Sequence, residues 1–437
     1  MHRRAALTLA CLGTLVGCGE QEVAPDSRDS LTRSQGPRAT APETPVPQTG
    51  RSVRGVAFSP RDLRALARMT PLTAPAPDPT NRWADDPAAA RLGQALFFDP
   101  GLSANGKVSC ASCHEPARAF SSGEALSEGL GRGTRHAPSL LGAGHQRWLG
   151  WGGRADSLWA QALIPLLHPL EMGSAPRTIL RHVRETPGLE QAWRDVFGPL
   201  PALEADAVSD GASQNGAIEL AFSRVGKAIA AYERRLVRSD APFDRFAAAL
   251  LERPGAEPGD LELLDAPAVR GLAIFLGHGK CVLCHSGPNF SDGEFHNTGV
   301  PPGPEGDGDD PGRHRGVQLV RADPFNAAGP YSDDPNGPAA ERVTGLRTGS
   351  ETWGEFRTPS LRNLGTRGPF MHQGQLATLA DVVHFYDTLE GSVGRSHHQE
   401  SILEPLELGE SGRADLMAFL ASLEGLPLDP ALERAPN

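Results

Sequence analysis

Apolar residues recur at helical spacing along much of the chain. In residues 217–236 they fall three and four positions apart, which is the spacing of one face of a helix. The pair Ser59-Pro60 is typical of a helix start, because serine caps the first turn and proline fits its first position. Helices are therefore predicted at 60–69 and at about 87–98, 217–236, 265–276, 379–389 and 411–423. No region is rich in strand patterns, so the predicted fold class is mainly α.

Two segments lack this helical periodicity. Residues from 19 to about 55 are rich in Pro, Ser, Thr and Gln, which predicts a disordered tether, with ordered structure beginning at Ser59. Residues 297–350 are dense in Gly, Pro and Asp and predict one long loop. The acidic run at 306–310 within that loop is interpreted as a solvated turn, with a calcium loop as the alternative.

The spacing C-x-x-C-H occurs twice in the chain. The residues of the two copies are Cys110, Cys113 and His114, and Cys281, Cys284 and His285. This spacing is the signature of covalent c-type haem attachment, because two thiols one turn apart can bond to both vinyl groups of one porphyrin while the imidazole binds the iron. A zinc site or a disulfide is the alternative, but zinc needs four ligands and neither copy has a second pair nearby. The sequence predicts two covalently bound haem c groups.

Both motifs stand in the same local context. Each follows a predicted helix and a Gly-Lys pair, and each is followed by Phe-Ser-x-Gly. This internal repeat predicts two related cytochrome-c-like haem domains in tandem, with long irregular loops. The predicted limits are 57–245 for the N-terminal haem domain and 246–437 for the C-terminal one, after a tether at 19–56.

The first eighteen residues have the features of an export signal. Arg3 and Arg4 begin a basic stretch, and the apolar run at 5–17 is too short to span a bilayer. The run LVGC, which ends at Cys18, resembles a bacterial lipoprotein lipobox, with an ordinary signal peptide as the alternative. We therefore expect an exported, periplasmic protein that is lipid-anchored through Cys18 to the outer membrane.

Composition restricts the partners. The chain has 437 residues, 39% of them hydrophobic, which is enough for two ordinary cores. Its net charge of −11 argues against a nucleic-acid partner and favours a redox partner with a basic face. After the signal, no segment has the roughly 18 consecutive apolar residues that a spanning helix needs, so membrane contact is expected through the lipid anchor alone.

Several sequence blocks around the motifs resemble those of a known protein family. They are CHEPARAFSSG (113–123), RHAPSLL (135–141), WGGRADSLWAQALIPLLHPLEMG (151–173), AIAAYERRL (228–236), FHNTGVP (295–301), FRTPSLRN (356–363) and PFMHQGQLATLADVVHFY (369–386). In this order they resemble the bacterial di-haem cytochrome c peroxidases, and most of all the MauG-like branch of that family. The resemblance covers about 88–423.

The resemblance implies an enzyme that reduces hydrogen peroxide at the N-terminal haem with electrons that a small redox protein supplies through the C-terminal haem. It makes His114 and His285 the proximal iron ligands and places Trp151 between the haems as an electron relay. Gln161 and Glu171 match the catalytic Gln and Glu of the family, and Glu171 would move a proton between the two peroxide oxygens. Read alone, Trp151 is a core residue and Glu171 a helix-capping or surface acid.

The second haem has two candidate sixth ligands. Tyr386 lies fourteen residues after His372, where the MauG-like branch has Tyr and other members have Met. A phenolate is a hard anionic ligand that stabilises oxidised iron. Read alone, Tyr386 belongs to an apolar helical stripe, and Met371 is the other candidate because it precedes that helix. We favour Tyr386.

The first haem has no candidate sixth ligand close to its motif. There is no His or Met from Glu115 to Arg135, which predicts an open iron, although His136, His145 and His168 remain possible closing ligands. His136 also replaces an Asn that helps hold a calcium ion between the domains in the family. Because imidazole is a poor calcium ligand, calcium is doubtful here.

Two other functions remain as alternatives. One is MauG-like oxidation of a protein substrate. The other is a di-haem electron-transfer protein without peroxide chemistry, which requires both irons to be capped on both sides.

Overall fold

Short helices with irregular connections make up most of the ordered chain. The structure, a computed structural model, describes residues 46–203, 211–303, 310–393 and 400–436. The helices in these ranges are α1 (Pro60–Met69), α2 (Pro87–Phe98), α3 (Cys110–Cys113), α4 (Leu158–Leu167), α5 (Pro176–Glu185), α6 (Pro187–Phe197), α7 (Gly211–Glu233), α8 (Pro242–Leu250), α9 (Ala266–Leu276), α10 (Arg313–Ala322), α11 (Pro338–Thr344), α12 (Leu379–Thr388) and α13 (Gly409–Ala421). Strand β1 (Arg51–Val53) pairs antiparallel with β2 (Val56–Phe58), and β3 (Phe295–His296) pairs antiparallel with β4 (Phe356–Arg357). The mainly α class is confirmed.

The predicted helix starts are formed by side-chain caps. The Ser59 hydroxyl accepts from the amide of Asp62 at 3.3 Å, and the Asp62 carboxylate accepts from the Ser59 amide at 2.8 Å. This reciprocal pair satisfies backbone donors that the first turn leaves free, and Pro60 occupies the first helical position. The Asp265 carboxylate caps α9 in a similar way by accepting from the Ala268 amide at 2.9 Å.

Two predictions for irregular segments are wrong in part. The tether was expected to extend to about residue 55, but the β1–β2 hairpin begins at Arg51; residues 19–45 of the tether lie outside the described part of the chain. The predicted loop at 297–350 contains helices α10 and α11. These helices are stabilised by packing rather than by a strong pattern of their own, since Val320 and Val343 form a small cluster with Trp148. Most of the acidic run at 306–310 lies outside the described residues. Its last residue, Asp310, forms an ion pair with Arg135 at 2.6 Å, whereas a solvated turn was predicted.

Two large hydrophobic cores lie around the two motifs. The first core contains apolar residues of α2, α4, α5, α6 and α7, and the second contains those of α1, α8, α9 and α13. The first and last helical segments of the described chain pack against the opposite half, because Leu432 lies in the first core and Leu63 in the second. The predicted domain boundary at 245/246 stays a prediction.

Each core contains a close helix crossing at a glycine of the helix that precedes the motif. In the first, α2 meets α7 at Gly93, where an added Cβ would lie 1.8 Å from the carbonyl oxygen of Ala228. In the second, α9 meets α13 at Gly271, where an added Cβ would lie 2.0 Å from the carbonyl oxygen of Asp415. Only glycine permits either approach. The helix that precedes each C-x-x-C-H motif is therefore held in the same manner, as the internal repeat predicts.

Within the described residues, no helix is both long and apolar enough to cross a bilayer.

Glu233 at the end of α7 is a buried carboxyl that makes stability depend on pH. Its side chain is 7% exposed, and desolvation raises its pKa from 4.5 to about 8. The folded state therefore holds a proton that the unfolded state releases above about pH 4.5, so stability falls as the pH rises from about 4.5 to 8. We expect Glu233→Gln to raise the thermal midpoint at pH 8 by several degrees and to leave it nearly unchanged at pH 4.5, since each kcal/mol is about 2–4 °C for a domain of about 150–250 residues.

Thermal unfolding of the holoprotein at both pH values, followed by circular dichroism, checks this expectation. The exposed residue Glu341 provides the matched control, Glu341→Gln, which should have no such pH-dependent effect. Equal shifts at both pH values in Glu233→Gln would contradict the assigned cause.

Candidate active site

The first C-x-x-C-H motif forms one helical turn. Helix α3 carries Cys110 and Cys113 at its two ends, and the His114 amide donates to the Cys110 carbonyl oxygen at 2.9 Å. The His114 ring donates from Nδ1 to the carbonyl oxygen of Phe120 at 3.1 Å. Desolvation lowers the pKa of His114, so the ring is neutral at pH 7 and Nε2 presents a lone pair. This is the state of a histidine that can bind iron.

The second motif repeats this geometry. The His285 amide donates to the Cys281 carbonyl oxygen at 2.8 Å, and its Nδ1 donates to the carbonyl oxygen of Phe290 at 3.0 Å. Desolvation again lowers the pKa of the imidazole. Phe120 and Phe290, the two acceptors, both have left-handed backbone conformations, with φ of 56° and 50°. The two halves thus orient their histidines by the same strained turn.

A second repeated segment supports each histidine. Residues 137–140 read APSL and residues 358–361 read TPSL. The backbone of Pro138 acts on the His114 ring and that of Pro359 on the His285 ring, where each opposes the lowering of the imidazole pKa by desolvation. The hydroxyl of the following serine accepts a backbone amide two residues on in both copies, at 3.1 and 3.2 Å. The sequence analysis missed this part of the repeat, although the shared P-S-L was visible.

The donor set of each motif fits a haem group that is held by two thioethers and one histidine. All four cysteines are half-buried and free of disulfides. Desolvation raises the pKa of Cys113 to about 11 and that of Cys281 to about 12, so the thiols are protonated rather than metal-ready thiolates.

One side-chain cluster beside the second motif has the spacing of a metal site. Atoms of Cys284, Asp292 and His296 lie within 4.8 Å of one another. Cys284 already belongs to the second motif. Burial alone would lower the pKa of His296, but bonds to Asp292, Cys284 and Glu400 raise it to about 11, which leaves a charged imidazolium with no lone pair for a metal. The cluster therefore belongs to the surroundings of the second haem site.

Trp151 connects segments from both halves of the chain. Its indole Nε1 donates to the carbonyl oxygen of His136 at 2.8 Å, and the His136 amide donates to the His372 carbonyl oxygen at 2.9 Å. The Trp151 and His372 rings meet edge to face at 6.4 Å between centroids, and His372 stacks on Phe356 at 3.7 Å. Trp151 is 9% exposed, yet its partners are polar backbone groups and an imidazole. This setting is unlike that of an ordinary core tryptophan.

The two predicted catalytic side chains are joined through an arginine that the sequence analysis missed. Arg154 Nε donates to the Gln161 amide oxygen at 3.5 Å, and its Nη2 lies 3.7 Å from the Glu171 carboxylate. The same carboxylate is 3.6 Å from His168 Nδ1 and is 34% exposed. Its charge acts on Cys110, Cys113 and His114, so it lies beside the first motif. Arg154 is the last residue of the W-G-G-R block, so the sequence did contain a signal that could have identified it.

The three histidines named as candidate closing ligands of the first iron differ in their surroundings. The two ring nitrogens of His145 contact the backbone carbonyls of Gly142 and Thr73, at 3.3 and 2.8 Å, which leaves neither for a metal. His136 uses Nδ1 on the carbonyl oxygen of Glu124 at 2.9 Å. His168 faces Glu171, and its Nδ1 is buried without a hydrogen bond.

Tyr386 lies beside the second motif. Desolvation raises the pKa of its phenol to about 12, with Cys284 and Cys281 adding to the effect and a bond to Thr298 opposing it. The competing candidate, Met371, sits at a backbone φ of 73° in the segment between β4 and α12. The Tyr386 side chain therefore interacts with the cysteines of the second motif.

Two arginines in this region have polar atoms with no partner. The Nε atom of Arg357, and Nε and Nη2 of Arg367, are buried and make no hydrogen bond to any described residue. A buried donor without a partner is costly, so these guanidinium groups fit an anionic cofactor that carries carboxylates. No pattern in the sequence identified them.

These features define a mainly helical protein with two cytochrome-c-like haem sites. Residues 87–250 match the family model of the di-haem cytochrome c peroxidases. The chain is 33% identical over 352 residues to the methylamine utilization protein MauG of Methylorubrum extorquens, which covers 80% of this chain and 82% of that protein. It is also 33% identical over 376 residues to the cytochrome-c peroxidase IdrP2 of a Pseudomonas species, covering 84% and 87% of the two chains. The chain belongs to the di-haem cytochrome c peroxidase family.

A solved structure supports the same assignment. The diheme peroxidase BthA from Burkholderia thailandensis superposes with a TM-score of 0.60 at 25% identity, over 85% of this chain and 95% of that chain. The predicted family, the di-haem fold and the class of enzyme, an oxidoreductase of the peroxidase type, are thereby confirmed.

Proposed function

We propose that this protein reduces hydrogen peroxide to water at the N-terminal haem with electrons that enter through the C-terminal haem. The reaction consumes one peroxide, two protons and two electrons and yields two waters. One observation carries the proposal: a carboxylate, an amide and a guanidinium, those of Glu171, Gln161 and Arg154, converge beside the first motif. The tyrosine Tyr386 lies beside the second motif instead. The two sites are therefore suited to different tasks.

The residues that hold the cofactors follow from the motifs. Cys110 and Cys113 would form thioethers with one haem and Cys281 and Cys284 with the other. His114 and His285 would bind the irons through Nε2, because each Nδ1 is already committed to a backbone carbonyl. When bound, the first haem supplies the iron at which peroxide binds and accepts electrons.

Glu171 would transfer the proton. A carboxylate can take the proton from the peroxide oxygen near the iron and return it to the far oxygen, so that water leaves. Arg154 positions this carboxylate at 3.7 Å and also contacts Gln161, so the three side chains act as one unit. The carboxylate is part-exposed, which gives peroxide a path to the site.

Trp151 would carry electrons between the two sites. It is buried, its backbone oxygen accepts from the Arg357 amide at 2.9 Å, and its ring meets that of His372 from the second half of the chain. Tyr386 would give the second iron an anionic oxygen ligand, which stabilises a more oxidised state.

The test mixes purified diferric protein with peroxide and follows the haem spectra, with and without a reduced donor. We expect a direct reaction without prior reduction, because no His or Met follows the first motif as far as residue 135 and His145 is occupied by backbone. A resting protein with two low-spin haems that stays inert until it receives an electron would contradict this, and would indicate His136 or His168 as a closing ligand.

Two alternatives have distinct outcomes in the same experiment. Oxidation of a protein substrate is favoured if the oxidised protein persists for minutes and small redox donors reduce it slowly; the presence of Tyr386 and the similarity to MauG support this reading. A pure electron carrier would not react with peroxide at all and would show no high-spin haem.

We further propose that the protein is exported to the periplasm and lipid-anchored to the outer membrane through Cys18. Cys18 lies outside the described residues, and the proposal rests on its lipobox sequence. We expect Cys18→Ala to move the protein from the membrane fraction to the soluble fraction while both haems remain attached, as judged by haem staining of fractionated cells. A wild-type protein that is already wholly soluble would refute the anchor.

A further inference from the structure

Arg357 and Arg367 are two cations that form no ion pair with any described residue. Arg357 is 3% exposed, and its Nη1 donates only to the neighbouring carbonyl oxygen of Thr358 at 3.0 Å. Its Nε atom has no partner, and neither do Nε and Nη2 of Arg367. Desolvation lowers the pKa of both guanidinium groups to about 10, which still leaves them charged at pH 7.

Among the described residues, no carboxylate lies within ion-pair distance of either guanidinium group. Neither arginine forms an ion pair with any residue that the structure describes. Glu424 is the acidic group whose charge acts on Arg367. Its carboxylate, however, is bonded to Arg238 at 3.2 Å and to the Gly365 amide at 3.3 Å. Arg238 adds a like charge that repels Arg367. Within the described part of the chain these charges are not compensated, so the two guanidinium groups are suited to bind an anion from outside the polypeptide.

Both arginines lie at the junction between the two sites. The Arg357 amide donates to the Trp151 carbonyl oxygen at 2.9 Å. The Arg367 charge acts on His136, whose carbonyl oxygen accepts the Trp151 indole N–H. The two cations therefore flank the tryptophan segment that connects the motifs. Under the proposed function, the anions that enter this region are the propionates of the two haems.

We propose that Arg357 and Arg367 pair with haem propionates and supply the fixed positive charge between the two haem sites, so that no calcium ion is required there. This inference rests on the proposed haem sites. The bidentate geometry of guanidinium and carboxylate suits such a pairing, and it satisfies each buried N–H group that is now without a partner.

The residues around His136 do not fit calcium. Calcium binds six to eight oxygens, but His136 offers only ring nitrogen and has Nδ1 committed to the Glu124 carbonyl. The nearby carboxylate of Asp310 is already taken by Arg135, with contacts of 2.6 and 2.8 Å. A divalent cation would also meet the like charge of Arg367. The doubt about calcium that the sequence raised therefore has an electrostatic reason.

Spectroelectrochemical titration of the full-length holoprotein tests the pairing. A nearby cation favours the reduced haem, so Arg367→Gln is expected to lower one midpoint potential by about 59 mV, which is a tenfold change for a one-electron couple. Arg367→Lys keeps the charge and should restore most of the loss. Arg357→Gln and Arg357→Lys should behave in the same way. The exposed residue Arg321 provides the matched control, Arg321→Gln, for which no shift is expected.

Calcium independence is measured on the same wild-type protein. Metal analysis should find no calcium, and neither EDTA nor added calcium should change the haem spectra or the potentials. Spectra that change with EDTA and recover with calcium would overturn the proposal that no calcium ion is required. Gln and Lys variants with equal potentials would overturn the charge pairing. None of these measurements uses peroxide, so an inactive protein with two intact haems would refute the proposed function without deciding this inference.

Discussion

Replacing Glu171 by Gln is expected to slow the reaction of the diferric protein with peroxide by about 10²–10⁴-fold, which is the usual contribution of a positioned acid-base group. The amide has the shape of the carboxylate but cannot accept and return a proton. Arg154, which contacts the wild-type side chain, and Gln161, which contacts Arg154, remain in place, so the geometry of the site is retained. Stopped-flow absorbance at varied peroxide concentrations gives the second-order rate constant directly.

The control for this prediction is Glu128→Gln. Glu128 is an exposed acid in the segment that follows the first motif, and its carbonyl oxygen lies 3.6 Å from Cys113 Sγ, so the variant removes one negative charge near the motif without touching the proton path. Its rate constant should stay within about twofold of wild type, as is usual for a surface substitution. Comparable slowing in both variants would assign the effect to local charge and would remove Glu171 from the chemistry.

The sequence predicted the elements that are specified locally. Helix α1 was predicted from Ser59 and Pro60, and its boundaries agree because a cap and a proline act within one turn. Helices α10 and α11 were missed because their short apolar faces are stabilised by distant contacts, such as that of the Arg313 guanidinium, 4.5 Å from the Trp148 ring centroid. The hairpin at Arg51 was missed for the same reason, since Val53 and Val56 pack on the second core.

The residues of the candidate site also divide into those with a local sequence signature and those without one. Haem attachment is encoded in five consecutive residues, so Cys110 and His114 were identified from spacing alone. The roles of Trp151 and Glu171 came from resemblance, because one tryptophan or one acid has no local signature. Arg367 was not identified at all, since its importance lies in the absence of a partner, and that absence exists only after distant segments have packed.

Replacing Tyr386 by Phe is expected to change the second haem and to leave peroxide binding at the first intact. The substitution removes one oxygen from a side chain that lies beside Cys281 and Cys284, so the iron held by His285 would lose its anionic ligand. Axial ligands set haem potentials over a range of about 0.8 V, and we expect the second potential to rise by roughly 0.1 V or more. The low-spin spectrum of that haem should become high-spin, as magnetic circular dichroism can measure.

The kinetic consequence distinguishes Tyr386 from Met371. Peroxide removes two electrons, and the second site is suited to hold one of the two oxidising equivalents only if an anionic oxygen stabilises its oxidised iron. Tyr386→Phe should therefore react with peroxide at the wild-type rate but lose the oxidised product state faster, whereas Met371→Leu should retain both the low-spin spectrum and the long-lived oxidised state. The opposite pattern would make Met371 the ligand. Thioether coordination favours the reduced iron, so the second site would then accept electrons from a donor rather than store an oxidising equivalent.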